Sequence, residues 1–129
     1  MPREVRIIEC DFDPPYNPLD LPDGESVTFI AKSYRIGRCV REVKTNIEKE
    51  RIEGKMMRIY VDLSTPVFGA PYLDVLAGRT IALLEALFRE HGLPLKVTLT
   101  ASGKEPNKWY EVKFEKIPEK SPESSQLPV

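Results

Sequence analysis

The sequence is poor in the residues that most enzymes use for chemistry. It contains one histidine, His91, and two cysteines, Cys10 and Cys39, in 129 residues. No spacing typical of a zinc site, a nucleophile elbow or a phosphate-binding loop occurs in it. These gaps disfavour the common metal-dependent and nucleophilic enzymes, so we expect neither a catalytic centre nor a cofactor.

Long apolar runs are also missing. No stretch approaches the about 20 apolar residues of a membrane-spanning helix, and the first residues lack the apolar core of a secretory signal. We therefore expect a cytoplasmic protein with no membrane partner. One Gln and three Asn stand against twelve Pro and 30% charged residues. That composition is typical of thermophilic proteins.

The two cysteines allow two interpretations. In a reducing cytosol both are small core residues. In a thermophile, Cys10 and Cys39 can form a disulfide that closes a loop of about 30 residues and stabilises the fold by about 3–4 kcal/mol. Two isolated cysteines do not make a zinc site.

Alternating apolar and polar residues predict strands over 4–12 and 26–36, with Gly37-Arg38 turning the chain. Residues 40–51 fit a helical stripe and a strand face equally well. We favour a strand, because a three-residue hairpin loop at 52–54 then gives matched pairs. Ile47, Thr45 and Val43 would face Ile59, Val61 and Leu63, and Glu48 and Lys44 would face Arg58 and Asp62.

An apolar stripe from Leu73 to Phe88 predicts one long helix over about 71–91, ended by Gly92. Strands follow over 95–101 and 109–117, paired so that Leu99 faces Val112 and Lys96 faces Glu115. The order β-β-β-β-α-β-β predicts an α+β fold. We expect a two-layer sandwich of a mostly antiparallel sheet with the helix on one face. Residues 1–117 would form one domain, and 118–129 a flexible tail.

Charge is unevenly distributed although the net charge is −1. Residues 9–25 carry six acidic and no basic residues, whereas residues 32–58 carry nine Lys or Arg against four Glu. Three interpretations follow. The acidic loop can neutralise the basic segment, the basic segment can contact phosphates, or the acidic loop can dock on a basic partner.

A nucleic-acid-binding surface is the sharpest of these hypotheses. It would use aromatic stacking and phosphate contacts on an open sheet face, with Tyr60 beside them. Its candidate residues are Lys32, Tyr34, Arg35, Arg38, Arg41 and Lys44. Glu42, Glu48 and Asp62 would share that face and repel phosphate, so a solvated ion-paired face, or one covered in a dimer, is the stronger interpretation.

Two further candidates are weak. Asp11 and Asp13 form a D-x-D at a strand end, where two carboxylates can hold Mg²⁺ with water and a phosphate. Acids that flank a turn are the simpler interpretation. His91 can act as a general base, but its place in the last helical turn has a structural reason, since a cation there suits the helix dipole.

We therefore expect a non-enzymatic binding or assembly module that associates with protein, in particular with itself as a homodimer. Outward-facing Tyr34, Tyr60 and Trp109 favour this hypothesis. The first alternative is a nucleic-acid-binding accessory protein that uses the basic segment 32–58. The second is a metal-dependent enzyme that uses Asp11 and Asp13.

Overall fold

The computed structural model describes residues 4–104 and 107–117, and the predicted tail 118–129 lies outside them. It contains a mostly antiparallel sheet and one helix, in the predicted order. The elements are β1 (Glu4–Cys10), β2 (Ser26–Lys44), β3 (Lys49–Val61), β4 (Tyr72–Val75), α1 (Gly78–His91), β5 (Leu95–Ser102) and β6 (Trp109–Lys116). The strands run β4-β3-β2-β5-β6 across the sheet, and β1 also pairs with β2. The α+β class is thus confirmed.

The central hairpin differs from the prediction. The expected turn at Gly37-Arg38 and the expected loop at 52–54 are both wrong, because β2 and β3 continue through these positions. The chain reverses at Thr45–Glu48 instead, where the Thr45 hydroxyl accepts the Glu48 N–H at 3.2 Å. Val40 consequently pairs with Glu53. None of the five predicted cross-strand pairs, such as Ile47 with Ile59, forms. Thr45-Asn46 supplies stronger turn chemistry than Ile52-Glu53.

A β-bulge at Lys32 also changes which side chains share a face. Ala31 pairs with Val61 and Ser33 with Tyr60, so Lys32 is an extra residue on β2. The bulge turns Tyr34 toward the helix, where its ring lies 5.2 Å from that of Phe88. The expectation that Tyr34 lies on the open face is therefore wrong.

The predicted helix begins too early. Residues 72–75 form β4, in which Leu73 and Val75 are fully buried and Leu73 pairs with Ile59. Leu73 and Leu76 fit a helical stripe by coincidence, and pairing with β3 outweighs it. The end of α1 agrees with the prediction, since Gly92 has φ +79° and donates its N–H to the Phe88 carbonyl.

Residues of the helix and of the sheet share the main core cluster. Ile81, Leu84 and Phe88 of α1 pack in one cluster with Phe29, Met57 and Leu99 among other sheet residues. The β5–β6 register is as predicted, with Leu99 opposite Val112 and Lys96 opposite Glu115. None of the helices in residues 4–104 and 107–117 is long and apolar enough to cross a membrane.

Candidate functional site

A cleft of about 740 Å³ lies on the described surface. Apolar side chains supply most of its walls, and three charged residues join them. The lining consists of Val5, Ile7, Pro18, Leu19, Asp20, Arg41, Val43, Ile52, Val75, Leu76, Ala77, Lys108 and Tyr110. A volume of this size falls in the range of roughly 300–1,000 Å³ that is usual for small-molecule sites.

Strand alternation builds the first wall. Val5 pairs with Val43 across β1 and β2, and Arg41 pairs with both Ile7 and Ile52. Because side chains two residues apart point to the same face, these five residues form one surface. That surface is aliphatic except for Arg41.

The opposite wall comes from loop 18–20 and from the junction between β4 and α1. The loop runs beside β4, where the Leu19 N–H bonds to the Asp74 carbonyl at 2.8 Å and the Asp74 N–H bonds to the Asn17 carbonyl at 2.9 Å. The N–H and the carbonyl of Asp74 thus both bond to the loop and fix it against β4, an edge strand of the sheet. The wall is therefore positioned by the sheet.

Arg41 connects the two walls. Its Nη1 donates to the Leu76 carbonyl at 3.2 Å. Its Nε is buried and has no hydrogen-bond partner among the described residues. Gly54 leaves space for the guanidinium, since a Cβ at that position would lie 2.6 Å from Nη2.

The N-terminus of α1 opens onto the same cleft through Ala77. Ala77 is the N-cap residue and supplies no side-chain cap, and no acidic residue occurs in the first turn. The first N–H groups of a helix have no intrahelical acceptor and carry the positive end of the helix dipole. The positive end of the helix dipole therefore lies next to the part of the cleft that Ala77 lines.

Lys108 supplies the other cation of the cleft. Its Nζ lies 3.1 Å from Asp20 Oδ1 and 5.7 Å from the centre of the Tyr110 ring. Burial opposes the charge of the ammonium, but the hydrogen bond to Asp20 and the neighbouring Tyr110 outweigh it and raise the pKa of Lys108. Lys108 therefore stays charged at neutral pH.

This arrangement suits binding. Aliphatic walls exclude water from a ligand, and a few fixed polar groups orient it. Across residues 4–104 and 107–117, no group of three or more His, Cys, Asp or Glu side chains is placed to hold a metal ion.

The structure divides the predicted nucleic-acid residues between the two faces of β2. Alternation places Arg35 and Arg41 on one face and Arg38 and Lys44 on the other. Arg38 forms ion pairs with Glu9 at 3.6 Å and Glu53 at 3.2 Å.

Two other members of the predicted set are also engaged elsewhere. Tyr34 packs on Phe88, and Lys32 lies 4.0 Å from Asp62. The six residues thus form no single basic surface, although nucleic-acid binding itself stays a prediction.

The remaining candidates have structural partners. Asp11 Oδ2 accepts the Arg38 backbone N–H at 2.8 Å. Asp13, two positions further along the chain, is exposed. The ring of His91 lies 4.3 Å from that of Phe114 at the end of α1. The structure places Asp11 in a backbone contact and His91 in an aromatic one.

Cys10 and Cys39 are direct cross-strand neighbours of β1 and β2, and both are free thiols. The predicted proximity is present, and the disulfide stays a prediction.

Twelve of the thirteen lining residues were not predicted as site residues, among them Asp20, Ala77 and Lys108. Gly54, which leaves space for Arg41, was not predicted either. They come from separate segments and share no motif. Arg41 is the one residue common to the predicted site and the cleft. The first wall could have been predicted from the alternation of side chains along β2 together with the correct register of β2 and β3.

No family model matches this chain, and no curated protein or solved structure is significantly similar to it. Its function is therefore argued from the site itself.

Proposed function

We propose that this protein is a non-enzymatic binding module whose cleft takes a small molecule with an apolar body. The observation that carries the proposal is the cleft of about 740 Å³ with its largely aliphatic lining. A cytoplasmic location, inferred from the composition, belongs to the same proposal.

The apolar lining supplies the affinity. Each methylene group that moves from water into such a cleft contributes about 0.8 kcal/mol. An alkyl or aromatic body in contact with Ile7, Val43 and Ile52 thus reaches useful affinity without a specific polar contact.

A two-layer arrangement, with α1 as one layer and the sheet as the other, is part of the proposal. Its support is the burial of Ile81, Leu84 and Phe88 in the cluster shared with the sheet. A site held by packed elements keeps its geometry better than one built on loops alone.

Binding of Nile red, a neutral apolar dye, tests the proposal. We expect saturable binding in the wild type. Ala77→Phe should weaken it about tenfold or more, since losing contact with about two methylene groups already has that effect. Ala77 is exposed and adopts an extended conformation, so a larger side chain there is compatible with folding.

The matched control is Ala82→Phe, which adds the same ring to another exposed alanine outside the cleft lining. Its affinity for Nile red should equal that of the wild type. Absence of saturable binding in the wild type, or equal losses in the two variants, would contradict the proposal.

Self-association is a second candidate, favoured by the edge of the sheet at β6. Within the described residues β6 pairs with β5 alone. Trp109 and Phe114 on this strand are 48% and 43% exposed. An edge strand with exposed aromatic residues is a template for pairing with a second copy.

Sedimentation equilibrium of the wild type and of Trp109→Glu tests this second candidate. A concentration-dependent dimer in the wild type that is weakened in the variant would support it. A monomer throughout the micromolar range would exclude it.

A further inference from the structure

We propose that the ligand of the cleft carries a carboxylate at one end of its apolar body, and that Arg41 and the N-terminus of α1 hold this group. The inference rests on the proposed function and specifies the class of ligand for the same cleft.

Arg41 has donors to offer. A guanidinium carries five N–H donors in a plane, and planar carboxylates match this geometry. One donor of Arg41 bonds to the Leu76 carbonyl, and the buried Nε has no partner among residues 4–104 and 107–117. Because Nε is closed to solvent, a carboxylate in the cleft would bond to the terminal Nη groups and give the guanidinium a second acceptor.

The start of α1 adds to this charge. The guanidinium of Arg41 donates to the Leu76 carbonyl. Leu76 precedes the first helical residue, Gly78, by two positions in the sequence. Ala77, between them, lines the cleft and leaves the first N–H groups without a side-chain cap. Anions are stabilised at such a helix end.

The one acidic residue in the lining does not cancel this charge. Asp20 is 87% exposed and pairs with Lys108 at 3.1 Å, so each neutralises the other. Among residues 4–104 and 107–117, Arg41 is therefore the lining charge without an ion-pair partner, and an anionic group would complement it.

Gly54 gives a way to move the charge without removing it. A Cβ at this position would lie 2.6 Å from Arg41 Nη2, so Gly54→Ala pushes the guanidinium away. The displaced group is the end of a flexible side chain, and the substitution is therefore compatible with folding.

Calorimetric titration with decanoate and with decanol, which share the alkyl chain and differ in the head group, tests the inference. We expect the wild type to bind decanoate about tenfold to a hundredfold more tightly, the range of a charge-assisted hydrogen bond. Arg41→Gln should abolish this preference, because it weakens decanoate binding much more than decanol binding. Gly54→Ala should reduce the preference in the same direction.

Arg38→Gln is the matched control, because Arg38 lies on the same strand but on the opposite face. It should keep the full preference for decanoate. Thermal melting of each variant identifies any that fails to fold, and Gly54→Ala keeps the test valid if Arg41→Gln does.

The outcomes separate the two proposals. Equal affinities for decanoate and decanol in the wild type would overturn the carboxylate and leave the apolar cleft standing. Binding of neither ligand would overturn both. Equal loss of preference in Arg41→Gln and Arg38→Gln would show a general surface-charge effect and contradict the role of Arg41.

Discussion

The guanidinium of Arg58 makes two hydrogen bonds to the Asp74 carboxylate, from Nε to Oδ1 at 2.7 Å and from Nη2 to Oδ2 at 3.0 Å. Both side chains are buried, and Asp74 also accepts the Asn17 N–H at 2.8 Å. The ring of Tyr72 lies 4.2 Å from the guanidinium carbon. The pair ties the loop that forms one wall of the cleft to β3 and β4.

Asp74→Asn is expected to destabilise the protein by about 3–5 kcal/mol, because it leaves the Arg58 charge buried without its counter-ion. Urea unfolding followed by circular dichroism measures this change. Asp13→Asn, at an exposed carboxylate, should change the free energy of unfolding by less than about 0.5 kcal/mol. Similar values for the two variants would show that the buried pair is not a major source of stability.

Gly37 allows β2 to approach the start of the acidic loop. A Cβ at this position would lie 2.9 Å from Asp11 Cβ and 3.1 Å from Cε2 of the buried Phe12 ring. Gly37→Ala is therefore expected to destabilise the protein by about 1–3 kcal/mol through overpacking. The midpoint of urea unfolding reports the change.

Gly78→Ala is the matched control for Gly37→Ala. No atom lies within 4 Å of a Cβ at position 78. Alanine there is expected to stabilise the protein by up to about 1 kcal/mol, because it restricts the unfolded chain without a clash in the folded one. Destabilisation of equal size in the two variants would argue against the close contact at Gly37.

Cys39 should be inert to alkylation in the folded protein. Burial, together with the hydrogen bond and charge of Cys10, raises the pKa of the Cys39 thiol to about 12. The thiolate is the reactive form, so iodoacetamide at about pH 8 should modify Cys39 only after unfolding. Mass spectrometry of native and urea-unfolded protein measures this, and fast native labelling at Cys39 would contradict it.

The same pKa makes stability depend on pH. The unfolded thiol ionises near its ordinary value of 9.0, whereas the folded thiol stays neutral until about 12. Above about pH 9 the unfolded state therefore loses a proton that the folded state keeps, and stability falls as pH rises. Cys39→Ala should show a smaller loss of stability between these pH values, and an unchanged pH dependence would contradict the shift.

Local signals located part of the fold. The alternation in β5 and β6 and the Gly92 stop depend on residues close in sequence, and both predictions are confirmed. The β2–β3 register was missed because matched cross-strand pairs favoured a loop at 52–54, whereas the chain reverses at Thr45–Glu48. β4 was missed because its burial depends on pairing with β3, which the local sequence does not encode.

The cleft was beyond sequence reasoning for a related physical reason. Arg41 was singled out for its charge, but its position in the cleft depends on Gly54 across the sheet and on Leu76 just before α1. These contacts join residues far apart in the chain. The acidic residues 9–25 neutralise the basic segment 32–58 only in part. Glu9 pairs with Arg38, whereas Asp20 pairs with Lys108, which lies outside that segment.

Amide NMR spectra recorded during a decanoate titration test the central claim most directly. We expect saturable shifts confined to residues around the cleft, above all Arg41, Ile52, Ala77 and Lys108. Shifts that never saturate, or that centre on Trp109 and Phe114 at the β6 edge, would contradict the cleft as the binding site.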